Sequence, residues 1–381
     1  MYLIDIKLSY CYNVKRKEVF IVKHPKLRIN VYSSADKVDG QGVGSAYEEQ
    51  VKLIKEGEPD LFDVRVNKWN SRADIQHFHT VDLQFFVKMK SSTCSNIAYC
   101  HFLPETMEGS LQLPGPIMKI FDSYLINFYK SADRLVVVNP SFIPKLVKLG
   151  IPENQIYYIP NYVSKDKFYR KSKEERIQIR KKYNIDSEAF VVLGAGQVQT
   201  RKGVLEFCQV AEKLPEIQFV WAGGFSFGRI TDGYEKLKKL EENHPDNVTF
   251  LGIVPRDEMV DIYNMCDVLF VPSFNELFPM TILEASNIEV PMVIRDLDLY
   301  KDILFDHYLK ADDNEGFIRC LRMLKEDPET YEKYQKESKA ISDFYSKEHV
   351  LKMWKDFYIN AYIEKRLQIK NKRKNRKQTE N

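Results

Sequence analysis

The stretch VPSFNELFPMTILEAS, residues 271–286, decides how the chain is read. The apolar run DVLFV leads into it and predicts a buried strand, while the residues after the Phe278-Pro279 pair predict a helix. Glu276 stands before the turn, and Glu284 lies eight positions later on the helix. Pro279 is expected in the first helical turn, where its missing N–H costs nothing. The remaining free amides between Phe278 and Thr281, including that of Met280, would face the crevice at the carboxyl end of a parallel sheet. A helix N-terminus in that place is a natural seat for phosphate. Glu284 lies about five residues further on, roughly 8 Å away at the rise of an α-helix, within reach of ribose hydroxyls. Glu276, on the other side of the seat, is placed to meet hydroxyls of whatever group a diphosphate carries. A nucleoside diphosphate sugar satisfies the whole arrangement.

Other loops support this reading. GAGQVQTRKGVLEF follows a predicted strand and leads into a helix, and it sets Arg201 and Lys202 where two cations can hold a diphosphate. It is a poor dinucleotide fingerprint, because Gln199 stands at the third glycine position and no acidic residue closes the next strand, QFVWAGG. Earlier, DGQGVGSAYEEQ places Gly40, Gly42 and Gly44 just before a helix, where bare backbone can approach a phosphate or sugar from the facing side of a cleft.

Strand-like and helix-like segments alternate through the chain. RINVYSS, FDVRVN, DIQHFH, NIAYCHF, RLVVVNP and IYYIPN form a first series; AFVVLGAG, QFVWAGG, NVTFLG, DVLFVPS and VPMVIRD form a second. The pattern predicts an α/β protein of two doubly wound, Rossmann-like domains with parallel sheets and a cleft between them. The expected division is an N-terminal extension of unassigned role (1–27), an acceptor- and membrane-facing domain (28–165) and a nucleotide-sugar domain (166–345). A helix packing back on the first domain (346–365) and a disordered basic tail (366–381) complete it. The 381 residues suffice for two cores, and six scattered cysteines with no C-x-x-C pair suit a reducing compartment. No run of about 18 apolar residues predicts a membrane span, and the N-terminus makes a poor signal peptide. Charge is uneven: residues 1–165 carry net +4, residues 166–363 net −7 and residues 364–381 net +6. Such a distribution suggests one face that meets something anionic.

The glutamate pair, TRKG, IPNY, the first glycine loop and the final Trp-bearing helix resemble the retaining glycosyltransferases of family 4, which have the GT-B fold. The resemblance spans about residues 28–365. More narrowly, YSSADKVDGQGVGSAYEEQ, HFHTVD and YCHFLPETMEGSLQLP resemble bacterial glycolipid synthases that add galactose to glucosyl-diacylglycerol. The resemblance implies that Glu276 acts at the donor sugar near the reacting carbon and that Glu284 holds ribose. Arg201, Lys202 and the turn Phe278, Pro279, Met280, Thr281 hold the diphosphate. Backbone atoms of Ile253 and Val254 wall the uracil, and His101 reaches the donor sugar across the cleft. Two positions depart from the family: Gln197 stands where many relatives have arginine, and Glu289 stands where a glycine is common.

The implied reaction moves a hexose from UDP-galactose or UDP-glucose to a glycolipid acceptor, with retention and without a covalent carboxylate intermediate. The favoured product is a diglycosyl-diacylglycerol. Glucosylation of diacylglycerol and hexosyl transfer in cell-wall or capsule polysaccharide synthesis remain alternatives, as does a non-catalytic protein that binds nucleotide sugars or anionic polymers. No cofactor and no metal are expected, since His77 and His79 lack further ligands at metal spacing, and Asp296-x-Asp298 reads as a loop. A lipid acceptor requires a peripheral site on the inner, cytoplasmic face of the membrane. DLQFFVKMK offers Phe85, Phe86, Lys88 and Lys90 for that anionic surface, and Ile120, Phe121 and Tyr124 lie on the next amphipathic segment. The terminal basic run lacks interleaved aromatics, so nucleic acid is not expected as a partner.

Overall fold

A computed structural model describes residues 26–35, 42–104, 115–226, 228 and 231–379. The extension before residue 26, Gly40 and much of the YCHFLPETMEGSLQLP segment lie outside the described residues. The first sheet contains β1 (Leu27–Tyr32), β2 (Phe62–Val66), β3 (Ile75–Phe78), β4 (Ser95–Cys100), β5 (Arg134–Val137) and β6 (Ile156–Tyr158). The second contains β7 (Val191–Ala195), β8 (Gln218–Ala222), β9 (Val248–Phe250), β10 (Val268–Val271), β11 (Met292–Arg295) and β12 (Leu309–Ala311). The orders are β2-β1-β3-β4-β5-β6 and β12-β11-β10-β7-β8-β9, and every neighbouring pair is parallel. Strands such as VLFV and LVV are buried on both faces, which is why they read as unbroken apolar runs.

Strand order reverses between β1 and β3 in one sheet and between β7 and β10 in the other. Crevices open beyond the carboxyl ends of strands at such switch points. The loops after β7 and β10 carry Lys202 and Glu276, so topology alone brings the two together. Contact is made possible by Gly203 at φ 71°, where a Cβ would lie 2.5 Å from the Pro272 carbonyl oxygen.

Five helices matter for the site: α1 (Gly42–Gly57), α2 (Leu83–Ser91), α3 (Gly115–Ser131), α4 (Met280–Asn287) and α5 (Lys347–Thr379). Gly42 and Gly44 lie within the first turn of α1, not ahead of it. Pro279 is the residue before α4, with extended backbone (ψ 130°), so the helix begins at Met280 and not at the proline. The expected disordered tail is also corrected, because α5 continues to Thr379. From residue 347 onward that helix contains no glycine or proline and is rich in Lys and Arg, both good helix formers. Its first half is pinned to the first sheet's unit. Gln50 donates to the Tyr358 hydroxyl at 2.9 Å, Lys355 pairs with Glu58 at 2.7 Å and Lys365 with Asp133 at 2.7 Å.

Glu289, where relatives favour glycine, sits just past α4 at φ 62°. Left-handed backbone there normally selects glycine, and a side chain costs about 1–2 kcal/mol. Ion pairs to Arg170 (3.2 Å) and Lys339 (3.4 Å) offset part of that cost. The two units join through buried amides: Asn139 donates to the Leu277 and Leu299 carbonyls at 3.0 and 2.9 Å, and Asn161 of IPNY donates to the Phe278 carbonyl at 3.0 Å. Residues of the first unit thereby fix the turn that precedes α4.

Candidate active site

The loop after β10 buries Glu276 against two cations. Lys202 Nζ lies 2.5 Å from Glu276 Oε1, and Arg201 Nη1 lies 3.6 Å from Oε2. Arg201 is held by its own bond to the Asn275 carbonyl at 3.0 Å, while its backbone carbonyl accepts from Phe274 N at 2.8 Å. Burial works against ionisation of Glu276, but Lys202 and Arg201 outweigh it and hold its carboxyl below the ordinary range. Burial also lowers the Lys202 ammonium, against the pull of Glu276. The amides of Met280 and Thr281 open α4 beside this cluster, and the N-terminal end of a helix dipole favours negative charge there.

Glu284, one turn into α4, is 2% exposed and ion-paired with Arg256. The Arg256 guanidinium lies over the Phe168 ring at 4.7 Å and within 3.8 Å of Glu49 on α1. Glu49 in turn accepts from Ser164 N at 3.2 Å. Burial raises the Glu49 carboxyl, with Arg256 opposing. One arginine thus bridges a carboxylate from each unit. Sequence reasoning missed it: Arg256 stands two residues after Val254, in a loop read only for its backbone, and no spacing rule tells that its side chain turns back to α4. The one available signal was that a buried helical carboxylate such as Glu284 needs a cation.

Ile253 is exposed at the mouth of that loop, whereas Val254 is half-buried against the core. His101 directly follows β4 and stacks on Tyr99 (centroids 4.2 Å apart), with His79 Nδ1 3.2 Å from its Nε2. The His79 ring lies 4.5 Å from that of His77, tilted by 45°, and His77 Nδ1 is hydrogen-bonded to the Tyr358 hydroxyl at 2.8 Å. Burial pushes His77 and His101 down to about 3 and His79 well below its ordinary value, so the row is neutral. Asp298 is an exposed partner of Lys301 at 2.7 Å.

The expected membrane residues are divided by the helix. Phe85 is 2% exposed, packed on Tyr32, Trp69 and Phe78, and belongs to the core. Phe86 is half-buried between Tyr124 and Phe128 on α3. Lys88 donates to the Trp69 carbonyl at 3.0 Å, and Lys90 lies 5.5 Å over the Phe86 ring. With 3.6 residues per turn, Phe85 and Met89 point inward while Leu83, Val87 and Lys90 share the opposite face. Leu83 (68%) and Ile120 (72%) are the most exposed of four large apolar residues on α2 and α3, with Val87 and Ile117.

Two parallel six-stranded sheets with a phosphate-ready helix start and a buried cation–carboxylate cluster at the second switch point define a GT-B glycosyltransferase. Comparison with known proteins agrees: residues 175–341 match the model of the glycosyl transferases group 1 family. The chain is 43% identical over 361 residues to the alpha-galactosylglucosyldiacylglycerol synthase of Streptococcus pneumoniae, covering 93% of this chain and 96% of that protein. The chain therefore belongs to the group 1 glycosyltransferases. The processive diacylglycerol alpha-glucosyltransferase of Acholeplasma laidlawii is 27% identical over 237 residues, 61% of this chain and 69% of that one. Among solved structures, Anabaena Alr3699/HepE in complex with UDP-glucose shares the fold at TM-score 0.72 and 13% identity, covering 88% of this chain and all of that chain.

Proposed function

We propose that this glycosyltransferase moves galactose from UDP-galactose to glucosyl-diacylglycerol with retention at the anomeric carbon. The observation that carries the reading is the end-to-end match to the pneumococcal synthase, which includes the acceptor-facing half of the chain. The Acholeplasma relative supports a diacylglycerol-based acceptor and keeps glucosyl transfer as the second reading. A panel of UDP-galactose and UDP-glucose against diacylglycerol and glucosyl-diacylglycerol, with products resolved by mass and linkage, tests it. The expected result is one hexose added to the glycolipid from UDP-galactose. A product made only from UDP-glucose and diacylglycerol overturns it.

In this reading Lys202, Arg201 and the Met280 and Thr281 amides take the diphosphate. There they stabilise the charge that develops on the leaving phosphate. Gly42 and Gly44 of α1 offer backbone from the facing side. Glu276 is released from its cations toward the sugar, Glu284 takes ribose beside Arg256, and Ile253 and Val254 border the base. His101, neutral, donates or accepts one hydrogen bond at the sugar. The leaving phosphate accepts the proton of the attacking hydroxyl, so no carboxylate need approach within the about 5 Å that a covalent two-carboxylate mechanism requires. Because fixed cations already meet the diphosphate, turnover is expected to persist in excess EDTA. Complete loss that Mg²⁺ or Mn²⁺ reverses would show that a metal holds it.

No described helix is long and apolar enough to cross a membrane. The acceptor is then reached from the surface, through the face formed by Leu83, Val87, Ile117 and Ile120 with Lys90 and Lys119 around it. Changing Leu83, Val87 and Ile120 together to serine is expected to weaken binding to anionic vesicles and lipid glycosylation in parallel, while hydrolysis of the donor by water survives. Raising salt should weaken wild-type binding, since each basic residue contributes only about 1 kcal/mol through screened attraction. Wild-type vesicle binding by the folded triple variant would move the membrane contact elsewhere.

A further inference from the structure

A cavity of about 870 Å³ lies far from the cluster just described. Its walls come from the amino ends of β1 and β2, the residue before β3, the segment that joins α1 to β2, and α5. Parallel strands place the catalytic crevice at their carboxyl ends, so the cavity opens on the opposite edge of the first sheet. The six residues of β1 alone separate the two edges by about 20 Å.

The floor is apolar: Leu27, Leu61, Phe62 and Val64, with Ile359 and Tyr362 from successive turns of α5. Seven ionisable side chains line the wall, five basic and two acidic. Both acids are already engaged. Asp74 accepts from Arg28 Nε at 2.9 Å and Nη2 at 3.0 Å, and Asp63 pairs with Arg65 at 2.5 Å. Lys26, Lys55, Arg72 and Arg366 remain at the rim, all exposed, and none has an ion pair of its own among the described residues. Four cations around an apolar floor attract anions, although Arg366 also lies 5.8 Å over the Tyr362 ring and helps to hold Asp74 low. The size falls within the range of small-molecule sites.

We propose that this cavity is a second binding site for an amphipathic anion, a phosphate monoester carrying a short apolar chain, with the phosphate among Lys55, Arg72 and Arg366 and the chain on the half-buried Leu27, Leu61 and Val64. A purely inorganic anion would leave the floor wet, and a neutral chain would leave the rim charges unused. The site does not depend on which sugar or acceptor the catalytic crevice takes. The ligand chemistry is available both from a free amphiphile and from an anionic lipid withdrawn from a bilayer.

Calorimetric titration with dodecyl phosphate below its critical micelle concentration tests the site, with UDP in excess to fill the catalytic crevice. One saturable site per chain is expected, and inorganic phosphate and dodecanol should each bind at least about tenfold more weakly. Lys55→Glu with Arg72→Glu, both exposed and outside the catalytic cluster, should weaken dodecyl phosphate at least about tenfold and leave hexosyl transfer and the melting temperature unchanged. Leu61→Trp, at a half-buried position of the floor, should weaken it independently of charge. Competition by phosphatidic acid vesicles would assign the ligand to bilayer lipid, and its absence to a free amphiphile; either result carries the site. No saturable binding, undiminished binding to the double charge variant, or equal affinity for dodecanol overturns it.

Discussion

Replacing Lys202 with alanine is expected to lower kcat/KM for the sugar nucleotide by at least about 30-fold, or about 2 kcal/mol, the scale of one lost transition-state donor. The ammonium is nearly buried and 2.5 Å from Glu276, at the switch point of the second sheet, beside the free amides that open α4. Its removal has two consequences that must be separated. The chemical one is loss of a fixed cation where charge develops on the leaving phosphate. The structural one is a buried Glu276 whose remaining cation is Arg201 at 3.6 Å, with one further hydrogen bond from Ser273, and an undercompensated buried charge typically costs several kcal/mol. Adding Glu276→Gln to Lys202→Ala removes the orphaned charge. The double variant should therefore regain melting temperature relative to the single one, while turnover stays low. Wild-type kcat/KM in a folded Lys202→Ala protein would remove the lysine from the phosphate site.

Much of this was legible in sequence, for a physical reason. Parallel strands buried on both faces are written as short apolar runs, so β1 to β11 can be read from LRINVY, VLFV and their like. The three-residue β12, LKA, has a single large apolar residue, Leu309, and gives no such signal, whereas the equally short β9, VTF, and β6, IYY, keep apolar or aromatic side chains. Glu276, Lys202 and the start of α4 were legible because they lie in loops whose positions follow from strand order. Side chains that cross between units are not written in any local pattern. Arg256 reaches both Glu284 and Glu49, and Asn139 and Asn161 bond to carbonyls more than a hundred residues away. Phe85 was misplaced for a related reason. Adjacent phenylalanines beside lysines suit a membrane face by composition, but helical phase turns Phe85 to the core and leaves Leu83 and Val87 outside. The basic tail was read as disordered from its charge alone, although its residues have high helix propensity and extend a helix already nucleated by Trp354 and Tyr358 packing.

Stability is expected to fall as pH drops from 7 to 5.5, because the fold keeps a row of histidines neutral. His77 and His79 are buried among Tyr47, Tyr99, Trp354, Tyr358 and His101, and no carboxylate is among these neighbours to stabilise an imidazolium. Burial lowers His77 to about 3 in the fold, with His101 adding repulsion, and holds His79 well below its ordinary value, with His77 and His101 adding repulsion. The unfolded chain titrates near the ordinary value of about 6.5. Below that value the unfolded state binds protons that the native state refuses, so stability is retained above about pH 6.5 and lost as pH falls toward the folded values. Two such groups lower the unfolding free energy by about 2.5 kcal/mol at pH 5.5, with a smaller addition from the partly exposed His101. Against a typical 5–15 kcal/mol that is a large fraction. The window separates this effect from the carboxylates: Glu276 and Asp74 are held low in the fold, and their contributions are lost only as pH falls below the ordinary carboxylate range. Urea unfolding at half-unit steps from pH 7.5 to 5 measures the slope. His77→Gln retains an acceptor for the Tyr358 hydroxyl but cannot titrate, so its slope below pH 6 should be smaller by about 1.4 kcal/mol per pH unit, one proton's worth. A wild-type profile that is flat across this range would mean that the imidazoles carry charge in the fold, and His101 would then meet the sugar as a cation and not as a neutral hydrogen-bonding group.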